Sequence, residues 1–336
     1  MENHSIFVGV DVSKSKLDFT VLFQEDLSLQ SFHFISNNDK KGIKAATKQI
    51  KSKFKSLEKV LFCFENTGVY SMPLSLNLSA LGLDYWVVSP IEINKSKGLT
   101  RGKSDKTDSK DIALYAKTHI HKLKLSSLPE SDILRIKVLL AERNKLMKSL
   151  KALDTSKEYE NNFPKAMIKE ALRINRKIVK QLQKAIKEIE QKIKEVVVQN
   201  EEIKTQAELI QSVPGVGKQT AYQLICTTNG FRNFNNWRQL ACYAGVAPFE
   251  YSSGSRIRGK TKVNHHADKQ LKSLLNMCAL SSKKYDPQIK TYFDRKVAEG
   301  KNKMLVLNNI RCKLLSRIFA VINRQTPYIN THKFAA

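Results

Sequence analysis

Three aspartates recur at every third position in the stretch RGKSDKTDSKDIALYA, residues 101–116: Asp105, Asp108 and Asp111. The stretch runs on as an apolar pattern typical of a helix. Residues three apart share one helix face, and like charges on that face repel each other. The spacing therefore indicates either a solvated face or a set of oxygen ligands for a divalent cation such as Mg²⁺.

Two further carboxylates stand in apolar strand patterns. Asp11 lies among valines in VGVDVS, and Glu65 ends the strand of LFCFENTG. Burying a carboxylate is costly unless a partner compensates, although a lone strand aspartate is more often a polar core residue than a ligand. The combination is more specific, and it predicts that Asp11, Glu65, Asp105 and Asp108 hold Mg²⁺, two ions being the arrangement that suits phosphoryl transfer. Asp111 keeps the spacing with Asp108 and is an alternative to Asp105.

The elements that would position these carboxylates fill residues 1 to about 125. Strand patterns occur in SIFVGVDV, KLDFTVLF and LSLQSFHFIS, and a helical pattern, a strand, a second helical pattern, a strand and a third helix follow. This order predicts an α/β domain with an RNase H-type fold. Its first and fourth strands are neighbours, so Asp11 and Glu65 would point into one cleft, across which the helix with Asp105 packs.

The next region, residues 126–205, loses glycine and is dominated by Lys, Glu, Ile and Leu. In KIVKQLQKAIKEIEQKIKEV the apolar residues step by fours, threes and sevens, which indicates a coiled coil with charged flanks. The segment ALDTSKEYENNFP would turn the chain between two long helices. A helical spacer and a dimerisation arm both explain the pattern, and we favour the arm because an isolated helix pair needs something to pack on.

Residues 206–336 are predicted to be mostly helical, broken by loops. SVPGVGKQTAYQLI places Gly215 and Gly217 between two helical patterns, followed by Lys218. Glycines allow a close approach of the backbone, and a helix start offers free N–H groups to phosphate. A DNA-gripping helix-hairpin-helix and a tight turn between packed helices are evenly balanced. A loop dense in Ser, Gly, Arg and Lys and an amphipathic helix follow.

The charge of the chain indicates a polyanionic partner. Its 336 residues contain 58 Lys and Arg against 31 Asp and Glu, a formal net charge of +27. The lysines are spread from end to end, which favours nucleic acid over a membrane surface. Arg101, Lys103 and Lys106 would contact the backbone near the carboxylates. No apolar run reaches bilayer length and no signal peptide is seen, and five scattered cysteines suit a reducing cytoplasm.

Five motifs follow one another along nearly the whole chain: FVGVDVSKSKLDF, FENTGVY, RGKSDKTDSKDIALYA, VPGVGKQTA and YAGVAPFEYSSGSRIRGKTKV. In order and spacing they resemble the DEDD-type insertion-sequence transposases of the IS110 family. The resemblance implies a RuvC-like catalytic domain at 1–125, a coiled-coil linker at 126–205 and a C-terminal transposase domain at 206–336. It assigns the acidic residues to Asp11, Glu65, Asp105 and Asp108, and it favours Asp105 over Asp111. Ser109 stands where alanine is usual.

The resemblance also implies a catalytic serine in the C-terminal domain, which is Ser253 in YSSGS; Ser252 and Ser255 remain alternatives. A serine hydroxyl is a poor nucleophile unless it is activated. Positive side chains after it would stabilise charge on a phosphate under attack. From the residues alone, a flexible basic loop that touches phosphates is the preferred interpretation. The basic residues are Arg256, Arg258, Lys260 and Lys262.

We therefore expect a Mg²⁺-dependent DNA transposase, guided by a bridge RNA, that cuts and rejoins donor and target DNA through a serine–DNA intermediate. It would act in the bacterial cytoplasm at the nucleoid, as a dimer or tetramer assembled through the coiled coil. The arm would let the carboxylates of one protomer meet the serine of another. The alternatives are a RuvC-like Holliday-junction endonuclease, which needs no serine, and a non-catalytic nucleic-acid-binding scaffold, which needs no carboxylates.

Overall fold

The computed structural model describes residues 4–26, 28–97, 104–153, 158, 161–253, 257–263 and 267–330, without the side chains of 250–253 and 257–262. The chain separates into two compact units, one up to Leu128 and one from Pro129. Each is described by itself. The division into three domains at 125 and 205 stays a prediction.

The first unit contains a five-stranded sheet in the order β3-β2-β1-β4-β5. The first three strands are antiparallel neighbours, and β4 and β5 continue the sheet parallel to β1. The element order and the contact between the first and fourth strands confirm what the RNase H-type pattern predicted. The strands are β1 Ile6–Val12, β2 Lys16–Glu25, β3 Ser28–Asn37, β4 Val60–Glu65 and β5 Tyr85–Val88.

Helices cover both faces of this sheet, which is why β1 and β4 are apolar on both sides. Side chains alternate between faces along a strand. Val8 and Val10 of β1 face one core with α1 and α2, whereas Phe7 faces a second core with α3 and α4. The helices are α1 Lys40–Phe54, α2 Met72–Ala80, α3 Pro90–Ser96 and α4 Asp105–Thr118.

The second unit is mostly helical. Its two long helices, α5 and α6, run in opposite directions. Arg143 of α5 contacts Glu190 of α6, and further along α5 the carbonyl of Leu153 accepts a hydrogen bond from Asn175, which lies earlier in α6. Ile136 and Ile193 join them to the core of the following helices. The coiled coil and the arm between protomers stay predictions. The helices are α5 Ser131–Leu153, α6 Lys165–Gln199, α7 Glu201–Gln211, α8 Lys218–Thr228, α9 Trp237–Tyr243, α10 Lys269–Tyr285, α11 Pro287–Ala298 and α12 Lys303–Arg324.

The segment predicted as a loop rich in Ser, Gly, Arg and Lys is instead a β-hairpin. Strand β6, Pro248–Ser253, pairs antiparallel with β7, Ile257–Val263. The reason is visible in IRGKTKV, where basic residues alternate with other residues at the period of a strand. The composition of the segment concealed that alternation.

No helix in the described part of the chain is both long enough and apolar enough to cross a membrane.

Candidate active site

Two predicted carboxylates lie side by side where β1 and β4 end. Val10 pairs with Phe64, so Asp11 and Glu65 are the next residues on two neighbouring parallel strands. Val10 and Phe64 face the core under α1 and α2. By strand alternation, Asp11 and Glu65 therefore face the opposite side, where α4 packs.

Helix α4 reaches this edge because β1 carries a glycine beneath it. A Cβ added to Gly9 would lie 2.1 Å from the carbonyl oxygen of Ser109 and 2.3 Å from the amide nitrogen of Ala113. The backbone of α4 thus lies directly on β1, two residues before Asp11. The first turn of α4, which begins after the N-cap Ser104, carries Asp105 and Asp108.

The electrostatics of Asp11 show that these carboxylates act on one another. Burial is the largest cause that raises the pKa of Asp11, from an ordinary value of 3.8 to about 6. The negative charges of Asp105, Asp108, Asp18 and Glu65 raise it further, in that order. All four predicted ligands therefore belong to one electrostatic cluster, with a fifth carboxylate that the sequence analysis missed.

The fifth carboxylate is Asp18, which pairs directly opposite Asp11 across β1 and β2. Only 3% of it is exposed. His33 Nε2 lies 3.2 Å from one carboxylate oxygen, and Lys16 Nζ lies 3.3 Å from the other. The signal was the same as for Asp11, an acidic residue between Leu17 and Phe19 in an apolar strand.

Two ammonium groups compensate the acidic cluster. Lys16 Nζ donates to Asp105 at 2.5 Å, and Lys97 Nζ lies 2.7 Å from Asp108 and 3.4 Å from Asp111. Hydrogen bonds to Asp105 and Asp18 raise the pKa of Lys16. Burial works against the charge of Lys97, yet its bonds to the two aspartates leave its pKa raised as well.

The cluster fits Mg²⁺ in its chemistry, because it consists of carboxylate oxygens, the ligands that Mg²⁺ prefers. Its carboxylates already bind the positively charged ammonium groups of Lys16 and Lys97. Among the described residues, however, no group of three His, Cys, Asp or Glu side chains lies close enough together to hold a metal ion. Lysine ammonium groups occupy positions between carboxylates instead. Asp111 shares Lys97 with Asp108, so it belongs to the surroundings of the cluster.

Ser109, in the position where alanine is usual, joins α4 to the sheet. Its hydroxyl lies 2.7 Å from the Thr20 hydroxyl on β2 and donates to the carbonyl of Lys106 at 3.0 Å. Ser109 is fully buried and Thr20 is 3% exposed. The Ser109 hydroxyl is therefore paired with the Thr20 hydroxyl. This contact fixes the acidic first turn of α4 to β2 as well as to β1.

Of the basic residues predicted beside the carboxylates, Arg101 and Lys103 lie outside the described residues. Lys106 is exposed on the first turn of α4. Its position suits contact with a nucleic-acid backbone, but the structure does not test that contact.

In the second unit, the turn before α8 is packed against α10. Gly215 has φ +89°, and a Cβ there would lie 2.1 Å from Ser282 Oγ. The Ser282 hydroxyl donates to the carbonyl of Pro214 at 2.6 Å. Gly217 has open space around it, and Lys218 is exposed at the helix start. The packing gives Gly215 a structural role, while contact of Gly217 and Lys218 with DNA stays a prediction.

Ser253 is the last residue of β6 and pairs with Ile257, next to the pair of Ser252 with Arg258. Lys260 and Lys262 follow on β7. Ser255 and Arg256 lie outside the described residues. The hairpin thus contains Ser253, Arg258, Lys260 and Lys262 in its two strands.

The start of the hairpin is fixed to α12. Asn308 donates to the carbonyl of Val246 at 2.7 Å, two residues before β6 begins. Arg311 donates in turn to Asn308 at 3.3 Å and to Asn276 of α10 at 2.5 Å. Arg311 is only 6% exposed, and burial lowers its pKa. This polar network anchors the strand that leads to Ser253.

Two family models match this chain. A transposase model of the DEDD IS110 type covers residues 8–156, and a model described as "Transposase IS116/IS110/IS902 family" covers residues 207–294. The pilin gene-inverting protein of Moraxella bovis is 25% identical over 96% of this chain and 97% of its own length. An insertion element IS110 protein of Streptomyces coelicolor is 34% identical over 36% of this chain and 29% of its own.

Among solved structures, Thermus thermophilus RuvC in complex with a Holliday junction substrate aligns with 37% of this chain and with all of its own. The sequence identity is 12% and the TM-score is 0.27.

Proposed function

Because this chain belongs to the IS110 family of insertion-sequence transposases, we propose that it is a Mg²⁺-dependent recombinase that cuts and rejoins DNA through a covalent intermediate on Ser253. The observation that carries the proposal is the acidic cluster at the ends of β1 and β4. Burial and four neighbouring carboxylates raise the pKa of Asp11 to about 6. The carboxylates of this cluster repel one another, and a divalent cation bound between them would relieve that repulsion.

Asp11, Glu65, Asp105 and Asp108 are the residues that would hold the metal. Bound Mg²⁺ supplies positive charge that polarises the scissile phosphate and stabilises the charge that develops on it. A bound cation would lower the pKa of Asp11 and so favour its ionised form as a ligand. Lys16 and Lys97 orient the carboxylates of Asp105 and Asp108 from the side.

Ser253 is the proposed nucleophile. Its oxygen forms a bond to phosphorus, and the bond from phosphorus to a deoxyribose oxygen breaks. The serine proton leaves to solvent or a nearby base, and the released strand end takes one up. The phosphate ester is conserved on the enzyme, so attack by a second strand end rejoins DNA without another energy source. Arg258 pairs with Ser252 and not with Ser253, so Arg258 and Lys260 alternate with the register position of Ser253 and would contact DNA phosphates beside the one under attack.

Three further features belong to the proposal. A bridge RNA would select the donor and target DNA, and the excess of positive charge suits an RNA partner as well as DNA. The helices α5 and α6 would join protomers into a dimer or tetramer. The enzyme would work in the cytoplasm at the nucleoid, where its DNA substrates are.

The metal site is tested by thermal unfolding with and without Mg²⁺. A ligand that binds only the folded state stabilises it. We expect Mg²⁺ to raise the melting temperature of the parent but not of Asp11→Asn or Glu65→Gln protein, both of which should lose recombination. Asp26→Asn is the matched control, because Asp26 is exposed at φ 46°, a conformation that asparagine tolerates. Equal stabilisation of parent and Asp11→Asn protein would remove Asp11 from the site.

The nucleophile is tested separately from the metal. Ser253→Ala protein should keep Mg²⁺ stabilisation and lose strand rejoining. Hydrolysis of DNA that persists in Ser253→Ala protein would instead indicate an endonuclease with the same carboxylates. Mixing Asp11→Asn with Ser253→Ala protein tests where the two parts meet, since recovered recombination requires parts from different protomers.

A further inference from the structure

One face of α1, together with its C-cap, carries a row of four lysines that the acidic cluster does not use. Lys44, Lys48 and Lys51 recur at spacings of four and three, so they share one helix face, and the C-cap Lys55 follows directly after the last turn. All four are exposed. Within the described residues, none of them forms an ion pair with a carboxylate. We call these four residues the α1 lysine row.

The row is unfavourable for an isolated helix. Like charges at these spacings destabilise a helix. Lysines in the last turn gain from the helix dipole, which helps Lys51 and the C-cap Lys55, but Lys44 and Lys48 lie too far from that end. Lys53, on another face, has a partner within the protein, since its ammonium lies over the rings of Phe23 and Phe32 at 4.6 and 4.3 Å. The row has no such internal explanation.

The row also lines a groove of about 840 Å³ on the surface of the first unit. The turn between α2 and β5 forms another wall, and Glu58 and Asp84 lie in the lining. Asp84 is paired with His4 at 2.9 Å. Because Glu58 follows Lys55 closely, the groove is most positive along Lys44, Lys48 and Lys51.

The direction of α1 relates the row to the acidic cluster. The residue before the N-cap of α1, Asn38, donates from its backbone to Ser15 and from its side chain to the carbonyl of Ser13. Those serines form the turn between β1 and β2, just beyond Asp11. The helix then runs back towards the start of β4. The row therefore extends for about 16 Å away from the edge of the sheet that carries Asp11, and α1 packs on the face of the sheet opposite to α4 and the carboxylates.

We propose that the α1 lysine row binds the phosphate backbone of double-stranded DNA on the face of the first unit opposite the acidic cluster, which flanking duplex would reach by passing the turn between β1 and β2. A row about 16 Å long matches roughly five base pairs of duplex. Lysines act as point charges and read no base sequence, so the row would hold any flanking DNA. DNA is the occupant because phosphates complement lysines that form no ion pair, and because the proposed function, on which this inference rests, supplies duplex DNA. The inference does not depend on Ser253 or on the guide RNA.

Equilibrium binding tests the proposal without catalysis. Full-length protein is titrated with linear duplex DNA in EDTA at several salt concentrations. Each phosphate contact contributes about 0.9 to the log–log salt slope. The variant K44Q/K48Q/K51Q should lower that slope by about 2 to 3. The matched control is K177Q/K180Q/K184Q, which removes the same charge from a similar exposed row on α6.

A fall in slope confined to the first variant supports the row. An unchanged slope, or an equal fall in the control, overturns it. Duplex RNA of the same length is the second ligand, and a fall seen with RNA but not with DNA overturns the assignment to DNA.

Chemical footprinting keeps the test independent of how the variants fold. Parent protein is acetylated with and without duplex DNA, and each lysine is quantified by mass spectrometry. DNA should protect Lys44, Lys48 and Lys51 several-fold more than Lys177, Lys180 and Lys184. Equal protection of the α1 lysines and the α6 lysines would contradict DNA binding at the α1 lysine row.

Discussion

Asp11 and Asp18 occupy directly opposed positions on the antiparallel strands β1 and β2. Like charges opposed across two strands destabilise a sheet. Here Asp18 is compensated by His33 and Lys16, whereas Asp11 is partly relieved by a pKa raised to about 6. The sheet therefore stores electrostatic strain at the place where a cation would bind.

Metal-free protein should lose stability as the pH rises through the pKa of Asp11. The folded pKa of about 6 lies above the ordinary 3.8, so between these values the folded state binds the proton more tightly than the unfolded state. The stabilising contribution is complete below about pH 4 and is lost as the pH passes about 6. Allowing for partial exposure of the carboxyl, the loss is about 1–2 kcal/mol.

The measurement is urea unfolding of parent and Asp11→Asn protein in EDTA at several pH values. Titrating groups that do not interact with Asp11 cancel in the difference between the two proteins. The variant should gain on the parent as the pH rises from about 4 to 7. A difference that is constant with pH would mean that Asp11 titrates alike in the folded and unfolded states.

Gly9→Ala should displace α4 and disable the site. The new Cβ would meet backbone atoms of Ser109 and Ala113, which cannot move aside as a flexible side chain would. Overpacking of this kind costs about 1–3 kcal/mol. We expect lower stability, loss of recombination and weaker stabilisation by Mg²⁺.

The control for this substitution is Gly217→Ala, where no atom lies within 4 Å of the added Cβ and φ is −97°. Because Gly217 is the N-cap of α8, where alanine is less favourable than glycine, the stability of this variant should fall by no more than about 1 kcal/mol. If Gly9→Ala protein were as stable as the control, the close packing of α4 on β1 would be refuted.

The hydroxyls of Thr20 and Ser109 should show strong coupling. Ser109→Ala leaves the buried Thr20 hydroxyl without its partner, at a cost of about 1–3 kcal/mol. Thr20→Val with Ser109→Ala removes both hydroxyls, so the double variant should be less destabilised than the sum of the single ones. Urea unfolding of the four proteins gives the coupling energy, and additive effects would argue against the hydrogen bond.

Much of the first unit was predictable because its signals are local. Apolar alternation marked the strands, and Asp11 and Glu65 stood out as charges within them. The strand order of the RNase H-type pattern also predicted that Asp11 and Glu65 lie on neighbouring strands. The pairing of Val10 with Phe64 confirms it. Local sequence patterns therefore indicate four of the five carboxylates that interact at this edge of the sheet.

The rest depends on contacts between residues distant in sequence. Asp18 carried the same signal as Asp11, but its partner His33 lies 15 residues away on β3. Nothing in the sequence around Lys16 and Lys97 indicates that they contact carboxylates. The fold places them beside Asp105 and Asp108. The β6–β7 hairpin was missed because its strands are rich in residues that usually form loops. Gly215 looked like a phosphate contact, and its packing on Ser282 became visible only in three dimensions.

The central claim, a recombinase that joins Ser253 to DNA with the help of the acidic cluster, is tested most directly by trapping the adduct. Parent protein with Mg²⁺ and a nicked DNA substrate that cannot be rejoined should form a covalent complex. Peptide mapping should place the phosphate on Ser253 rather than on Ser252 or Ser255. Ser253→Ala and Asp11→Asn proteins should form none. An adduct that persists in Ser253→Ala protein, or DNA cutting by the parent without any adduct, would contradict the account.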